Sequence, residues 1–314
     1  MIRVVVIGLR LESLIATWVL RQHPYFDVWL IADKDPATLC TNGHDRQCLV
    51  PHTASMGNLL RALKVIYSTF TPQDGILLRG RIEEFPRGLS QLSREDAARV
   101  ASDACAKAGE PYLNGKTPQR RPRRLRCASD ELVRALSDRA RVLTAPIWQL
   151  EPGAVIISGN RRFEYDFAIV TDPVWELCSR VWFEVPRVAP DERTIAQVTP
   201  RRLSPFRRWD VVLTPYTPAD AAFRVTMRGN DLAIEMRGEV DTKVMLSDLN
   251  FLFPDGYALQ TISIEEASPK KIETVRWPEN IVPLGSLAEG RTARPLDEVL
   301  DGTYALMRKW TRTR

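Results

Sequence analysis

Cysteine and histidine are both scarce. The five cysteines (Cys40, Cys48, Cys105, Cys127, Cys178) lie far apart and are odd in number, and the only histidines are His23, His44 and His52. No close pair has the spacing of a zinc site, so no metal centre is expected, and the thiols read as reduced groups in a reducing cytoplasm. Long apolar runs are also missing; none approaches the ~18 residues of a membrane-spanning helix. Without a repeated triplet or a sustained heptad, collagen and coiled coil are excluded. The opening MIRVVVIG enters a strand pattern at once and lacks the charged head, apolar stretch and cleavage site of a secretory signal, so a cytoplasmic protein is expected. Charge of one sign does not dominate either. Forty-four Lys and Arg against 39 Asp and Glu leave +5, which permits a polyanionic partner without demanding one.

What is present is an α/β pattern in a chain of 314 residues, long enough for two domains. Ile2–Ile7 is a continuous β-branched run, as in a strand covered on both faces. Leu14, Ile15, Trp18 and Val19 then recur at helical spacing, and Phe26–Ala32 is a second strand. Strand, tight turn, helix and strand within 33 residues predict a βαβ unit of a parallel sheet. Helices are predicted at Asn58–Tyr67, Asp96–Ala108, Asp130–Arg139 and Leu296–Trp310, and a strand or hairpin at Gly75–Gly80. Short strands follow at Val142–Ala145, Ile147–Leu150, Ala154–Ser158 and Phe167–Thr171, with one more at 280–285. The expected fold is α/β: a Rossmann-like domain interleaved with a small helical region and an antiparallel-sheet substrate domain. Residues 1–60, 127–178 and 275–314 are assigned to the nucleotide-binding domain, 61–126 to a helical, basic insertion and 179–274 to the substrate domain.

A dinucleotide site wants glycines at three places after the first strand: for the turn, for pyrophosphate approach and for helix packing. This chain has Gly8, Arg10 and Ser13 there. Ser13 is small enough to be tolerated. The Cβ of Arg10 occupies the approach path, while its guanidinium partly neutralises a diphosphate. Asp33, followed by Lys34, ends the second strand a little past the ~20-residue spacing of a ribose-binding carboxylate. The motif alone leaves both a nucleotide site and a purely structural βαβ unit open.

VVVIG, the helix after it and WLIAD resemble the opening of an FAD-dependent oxidoreductase, and several later pieces resemble the UDP-galactopyranose mutase branch in matching order. CLVPHT (48–53) is similar to the His-bearing segment beside the flavin, and RIEEFP (81–86) to the stretch after it. YDFAIVTDPVWELC with VWFEVPR resembles the strand and crossover that leave the FAD domain. PLGSLAEGR and PLDEVLDGTYAL resemble the closing strand, loop and helix. The resemblance implies FAD as cofactor, with Gly8, Arg10, Ser13, Asp33, Lys34, Gly285 and Asp297 around it, and His52 near the ring. The chain departs from the family at Leu49, where a first histidine is usual, at Ser286 after Gly285, and around Thr292, Ala293 and Arg294, where no tyrosine pair appears. A related flavin fold acting on another substrate is the better expectation.

His52 has a pKa range suited to proton transfer, or is simply a surface histidine. Arg224, in AAFRVTM, resembles a substrate-side arginine that clamps a carboxylate or phosphate; alternation places it opposite Phe223, and a solvent-facing arginine is the plainer alternative. Tyr216 is a candidate for the same cavity. Asp297 opens the last helix, as a cap, a cofactor neighbour or both. The strongest feature outside the resemblance is five arginines in seven residues: Arg120, Arg121, Arg123, Arg124 and Arg126, read as an exposed extended arm. Arg207 and Arg208, followed by Trp209, add a pair beside an aromatic, the composition of a nucleic-acid surface or of a solvated face. Three readings follow. The first is an FAD-dependent oxidoreductase acting on an amine or amino-acid-like group, with a modified base on nucleic acid (the phage-type DNA modification flavoenzymes) as a specific form. The second is a sugar-nucleotide mutase-like flavoenzyme with altered substrate, and the third a cofactor-free protein that binds nucleic acid or a partner.

Overall fold

The structure is a computed structural model of the full chain; it describes residues 1–41, 47–70, 75–84, 90–99, 123–172, 191–202, 213–217, 219, 221–228, 231–267, 277–285 and 296–312. The chain divides into two compact units, the first Met1–Phe70, Arg124–Pro190 and Ser268–Arg314, the second Thr71–Arg123 and Asp191–Ala267.

The first unit begins with β1 (Ile2–Ile7), α1 (Leu11–Arg21), β2 (Phe26–Ala32), β3 (Gln47–Pro51), α2 (Ala54–Leu63) and β4 (Tyr67–Phe70). The second unit contributes the hairpin β5 (Gly75–Leu78) and β6 (Arg81–Glu84). The first resumes with β7 (Arg124–Ala128), α3 (Ser129–Ser137), β8 (Val142–Thr144), β9 (Ile147–Glu151), β10 (Ala154–Ile157), β11 (Arg161–Glu164) and β12 (Phe167–Val170). Then come β13 (Asp191–Pro200), β14 (Leu213–Pro215), β15 (Ala222–Arg228), β16 (Asp231–Arg237), α4 (Thr242–Leu252) and β17 (Tyr257–Ala267) of the second unit. Strand β18 (Ile281–Pro283) and α5 (Leu296–Arg312) close the first.

A five-stranded sheet, order β18-β12-β1-β2-β8 with every pairing parallel, frames the first unit. The expected α/β class is therefore observed. Strand β1 shows why its sequence is apolar throughout: Val4 and Val6 enter a core with Leu14, Ile15, Leu60 and Trp310, while Val5 and Ile7 enter another with Leu150 and Val155. Helices cover one face and the antiparallel sheet β11-β10-β9 the other. On the helical side Trp310 of α5 stacks on Phe167 (centroids 4.5 Å apart, planes 10° apart) and meets Phe26 edge-on at 6.5 Å. A third sheet, β3-β7-β4, is antiparallel.

The second unit is built on a seven-stranded sheet, order β17-β13-β16-β15-β14-β5-β6, antiparallel except where β14 meets β5. Helix α4 packs Met245, Leu249 and Leu252 against Val198, Val225, Leu232 and Ile234.

Local physics moves several expected boundaries. The helix expected at Asn58–Tyr67 starts at Ala54, because the Thr53 hydroxyl accepts the Met56 N–H, and it stops at Lys64, whose φ is 60°. Tyr67 passes instead into β4. The 61–126 stretch, expected to be helical, contributes strands β4 to β7; beyond the end of α2 at Leu63, its described α-helical part begins at Arg94. Arg124 and Arg126 do not belong to an exposed arm. They alternate with the buried Leu125 and Cys127 on β7, which pairs with both β3 and β4, so both arginines are half-buried. Arg123, just before the strand, is exposed; Arg120, Arg121, Arg207 and Arg208 lie outside the described residues. Among the described residues no helix is long and apolar enough to cross a membrane.

Trp310 is 2% exposed and bridges the last helix to two strands of the parallel sheet. Truncating a buried tryptophan removes transfer energy and leaves a cavity, so Trp310→Ala should cost about 3–5 kcal/mol. Urea denaturation should show that loss as a lower midpoint.

Candidate functional site

In an open α/β sheet, ligands bind beyond the carboxyl ends of the strands, where the order reverses. Here that point lies between β1 and β12: the chain proceeds outward from β1 through β2 to β8 on one side and reaches β12 and β18 on the other. Gly8 follows β1, and Thr171 and Asp172 follow β12. A Cβ on Gly8 would lie 2.3 Å from Thr171 Oγ1 and 2.5 Å from Asp172 Oδ1, and φ is +128°, so glycine is required twice over. Gly285, after β18, comes to the same place; a Cβ there would meet the Glu12 side chain of α1 at 3.4 Å. Gly8, Arg10, Ser13 and Gly285 are thus brought together.

The turn into α1 is held by Ser13. Its hydroxyl donates to the Arg10 carbonyl (2.6 Å) and accepts the Arg10 N–H (3.0 Å). The third-glycine position is therefore a small buried residue that also caps its own helix. Leu9 N–H is taken by Asp172 Oδ1 at 3.3 Å. Asp172 escaped the sequence reading: it follows a strand, but nothing local ties it to Leu9. Arg10 Nε is buried and has no hydrogen-bond partner among the described residues. Asp33 and Lys34 are exposed after β2, and Asp33 Oδ1 accepts the Ile147 N–H at 3.2 Å. Asp297, in the first turn of α5, likewise keeps Oδ1 buried without a partner among the described residues. His52 is exposed in the link between β3 and α2.

These residues fit a dinucleotide cofactor. The first-turn amides of α1 have no intrahelical acceptor and favour an anion. The buried Arg10 Nε needs an acceptor that a pyrophosphate oxygen supplies; leaving such a donor unmet costs about 1–3 kcal/mol. Asp33 stands at the end of the next strand, where a ribose is bound in this class of sheet. The Asp172 carboxylate works against the same anion, since it occupies one amide and adds a negative charge.

No protein-family model matches the chain, and no curated protein is similar to it in sequence. Solved structures do match along nearly its whole length. A reduced UDP-galactopyranose mutase superposes with a TM-score of 0.67 at 11% identity, over 100% of this chain and 96% of that one. An oxidoreductase from Methanosarcina mazei gives 0.66 at 12%, over 98% and 100%. A flavin-dependent halogenase from a Brevundimonas species gives 0.55 at 13%, over 98% and 71%. The chain therefore shares the fold of these proteins.

Two further expected site residues, Arg224 and Tyr216, belong to the second unit. Arg224 Nε is 3.0 Å from Oε1 of Glu235, its cross-strand neighbour, and Glu235 Oε2 accepts Arg193 Nη1 at 2.9 Å. A bulge between Ala222 and Arg224 breaks the expected strict alternation: Ala222 and Val225 both enter the α4 core. The Tyr216 hydroxyl donates to Asp96 Oδ2 at 3.1 Å, Ser93 donates to the same oxygen at 2.6 Å, and the Arg99 guanidinium lies 5.5 Å from the Tyr216 ring centroid. The Ser93 hydrogen bond, followed by those of Tyr216 and Arg99, holds the Asp96 carboxyl below its ordinary range; accepting that bond, Asp96 raises the Tyr216 phenol.

The signs give a pH window. Asp96 contributes fully above its ordinary carboxylate value, and the contribution is lost as pH falls through its lowered one. The phenol contributes below its ordinary value, and that contribution is lost as pH rises through the raised one. Ser93→Ala should move the Asp96 midpoint upward by more than Tyr216→Phe does, as read by NMR titration of the carboxyl carbon. A larger upward shift from Tyr216→Phe would show that the phenol dominates the group.

Proposed function

We propose that the protein is an FAD-dependent oxidoreductase whose dinucleotide site is the crevice beyond β1, β2, β12 and β18. The observation that carries this reading is the buried Nε of Arg10, without a hydrogen-bond partner among the described residues, beside the first turn of α1 at the point where strand order reverses. Bound FAD would supply hydride acceptance from a C–H bond, in an amine the one on the carbon beside nitrogen. Arg10 and the first-turn amides hold the diphosphate, Asp33 accepts from ribose hydroxyls, and Gly285 leaves room at the end of β18. Asp297 positions the start of α5. His52 is assigned the proton relay to substrate, on its place in a segment that resembles the flavin-side segment of the mutase branch.

An amine or amino-acid-like group is the proposed substrate chemistry, with a polyanionic carrier such as a modified nucleic acid as its specific form. The arginines of 120–126 and the Arg207-Arg208 pair support the carrier by composition. The match to the mutase over nearly the whole of both chains supports, as a second reading, a sugar-nucleotide substrate handled on the same cofactor.

Purified protein that binds FAD should show the visible absorption bands of oxidised flavin. Arg10→Met keeps the aliphatic stem and removes the charge. Losing a charge-assisted hydrogen bond of about 1.5–3 kcal/mol should weaken FAD binding by roughly 10- to 100-fold. Asp172→Asn should tighten binding, because an acceptor for Leu9 N–H remains while the repelling charge is gone. Titration of FAD fluorescence measures all three proteins. No binding by wild type or by Asp172→Asn would leave the cofactor-free reading in its place.

A further inference from the structure

The hairpin between β5 and β6 pairs Leu78 with Arg81, so its loop is the two residues Arg79 and Gly80. Both have positive φ, 45° and 74°. Two-residue hairpins of that kind prefer Asn-Gly or Asp-Gly, because a side chain with an ordinary Cβ is strained at the first position. An arginine held there against its conformational preference points to a use for its guanidinium.

The hairpin tip is docked within the second unit. A Cβ on Gly80 would touch Pro254 Cδ at 3.4 Å and the Leu252 carbonyl at 3.6 Å, and the Arg79 guanidinium lies 5.1 Å from the Phe251 ring centroid. Arg201 donates its N–H to the Gly256 carbonyl at 3.0 Å, and its side chain passes over Gly256, where a Cβ would lie 3.0 Å from Nε. Arg202 forms an exposed ion pair with Asp255 at 3.3 Å. Together these segments line a surface cavity of about 410 Å³, whose lining includes Arg79, Arg81, Arg202, Phe253 and Pro254, with Asp255 the one acid among the described residues.

We infer that this cavity binds the phosphate group of a phosphorylated ligand. A carboxylate is satisfied by one guanidinium fork, whereas three arginines lining one space suit a tetrahedral anion with several charged oxygens. The exposed Arg202–Asp255 pair opens at little cost, which frees a fork for the ligand. Phe253 and Pro254 offer an apolar wall to whatever carries the phosphate. Every residue named belongs to the second unit, so the site stands or falls separately from the FAD crevice.

The test is calorimetric titration of the full chain with inorganic pyrophosphate and with a 5′-phosphorylated single-stranded DNA oligonucleotide. Arg79→Asn removes the guanidinium while supplying the residue the turn prefers, so the thermal midpoint should hold or rise. Affinity for pyrophosphate should fall tenfold or more in that variant and further in Arg79→Asn/Arg202→Gln. Pyrophosphate binding that weakens in both variants, without oligonucleotide binding, assigns the cavity to small phosphorylated ligands. Oligonucleotide binding that is weakened in parallel assigns it to the phosphates of nucleic acid. If neither probe binds, or if binding is unchanged in both variants, the inference is overturned.

Discussion

The Ile7 carbonyl accepts two hydrogen bonds from Thr171, one from the backbone N–H at 2.8 Å and one from Oγ1 at 3.0 Å. Gly8 N–H reaches the Ile31 carbonyl at 3.0 Å, and Leu284 N–H reaches the Val170 carbonyl at 2.9 Å. These rungs carry the parallel sheet past the named ends of β1, β12 and β18, so that four strands finish at one level. The crevice depends on that alignment. Because Thr171 Oγ1 closes over Ile7, residue 8 has no room for a side chain, and the left-handed turn into α1 follows from the same contact. A glycine that looks like one third of a nucleotide fingerprint is thus also a packing requirement of the sheet, and its presence alone does not separate the two roles.

The positions beside it do separate them. A glycine-rich turn recognises diphosphate through close backbone amides. In this chain Leu9 N–H is spent on Asp172 and Arg10 N–H on Ser13, which leaves fewer amides for an anion, while a guanidinium now stands at the turn. Under the proposed function, recognition of the diphosphate would rest less on fixed dipoles and more on a charge. A buried charge contact is screened by salt less than an exposed one, so the exchange is workable where Nε is already shielded from water. The negative Asp172 sets an upper bound on how much the exchange gains.

The parallel half of the fold was legible because its strands are buried on both faces and therefore write themselves as unbroken β-branched runs, as Val4, Val5 and Val6 do. Strand β7 was not, since arginines alternate with Leu125 and Cys127 and the charge hid the period of two. Helix α4 was missed among strand-like neighbours, although Asp241 caps it by accepting the Lys243 N–H, and Met245, Leu249 and Leu252 repeat at helical spacing. At the site, Gly8, Ser13 and Asp33 could be found by spacing from one strand. Asp172 could not, because its partner Leu9 is far away in sequence and only the β1–β12 pairing brings them together.

The second unit poses the same question of charge at Glu235. This carboxylate is 3% exposed between the buried Ile234 and Met236 and is shared by Arg193 and Arg224. Taking a single carboxylate out of water is costly, and removing one partner from such a cluster costs more than forming it returns. Two cations around one anion, however, leave a net positive charge on this face. Arg193 is the better aligned partner, with its Nη1 bonded at 2.9 Å, while Arg224 Nε is near enough for an ion pair but is not aimed for a hydrogen bond. The two arginines are therefore unequal. Arg193 compensates the buried carboxylate, and Arg224 is the one whose charge is only partly spent. If Arg224 serves a substrate anion, its capacity to do so rests on Arg193, which keeps Glu235 from claiming it in full.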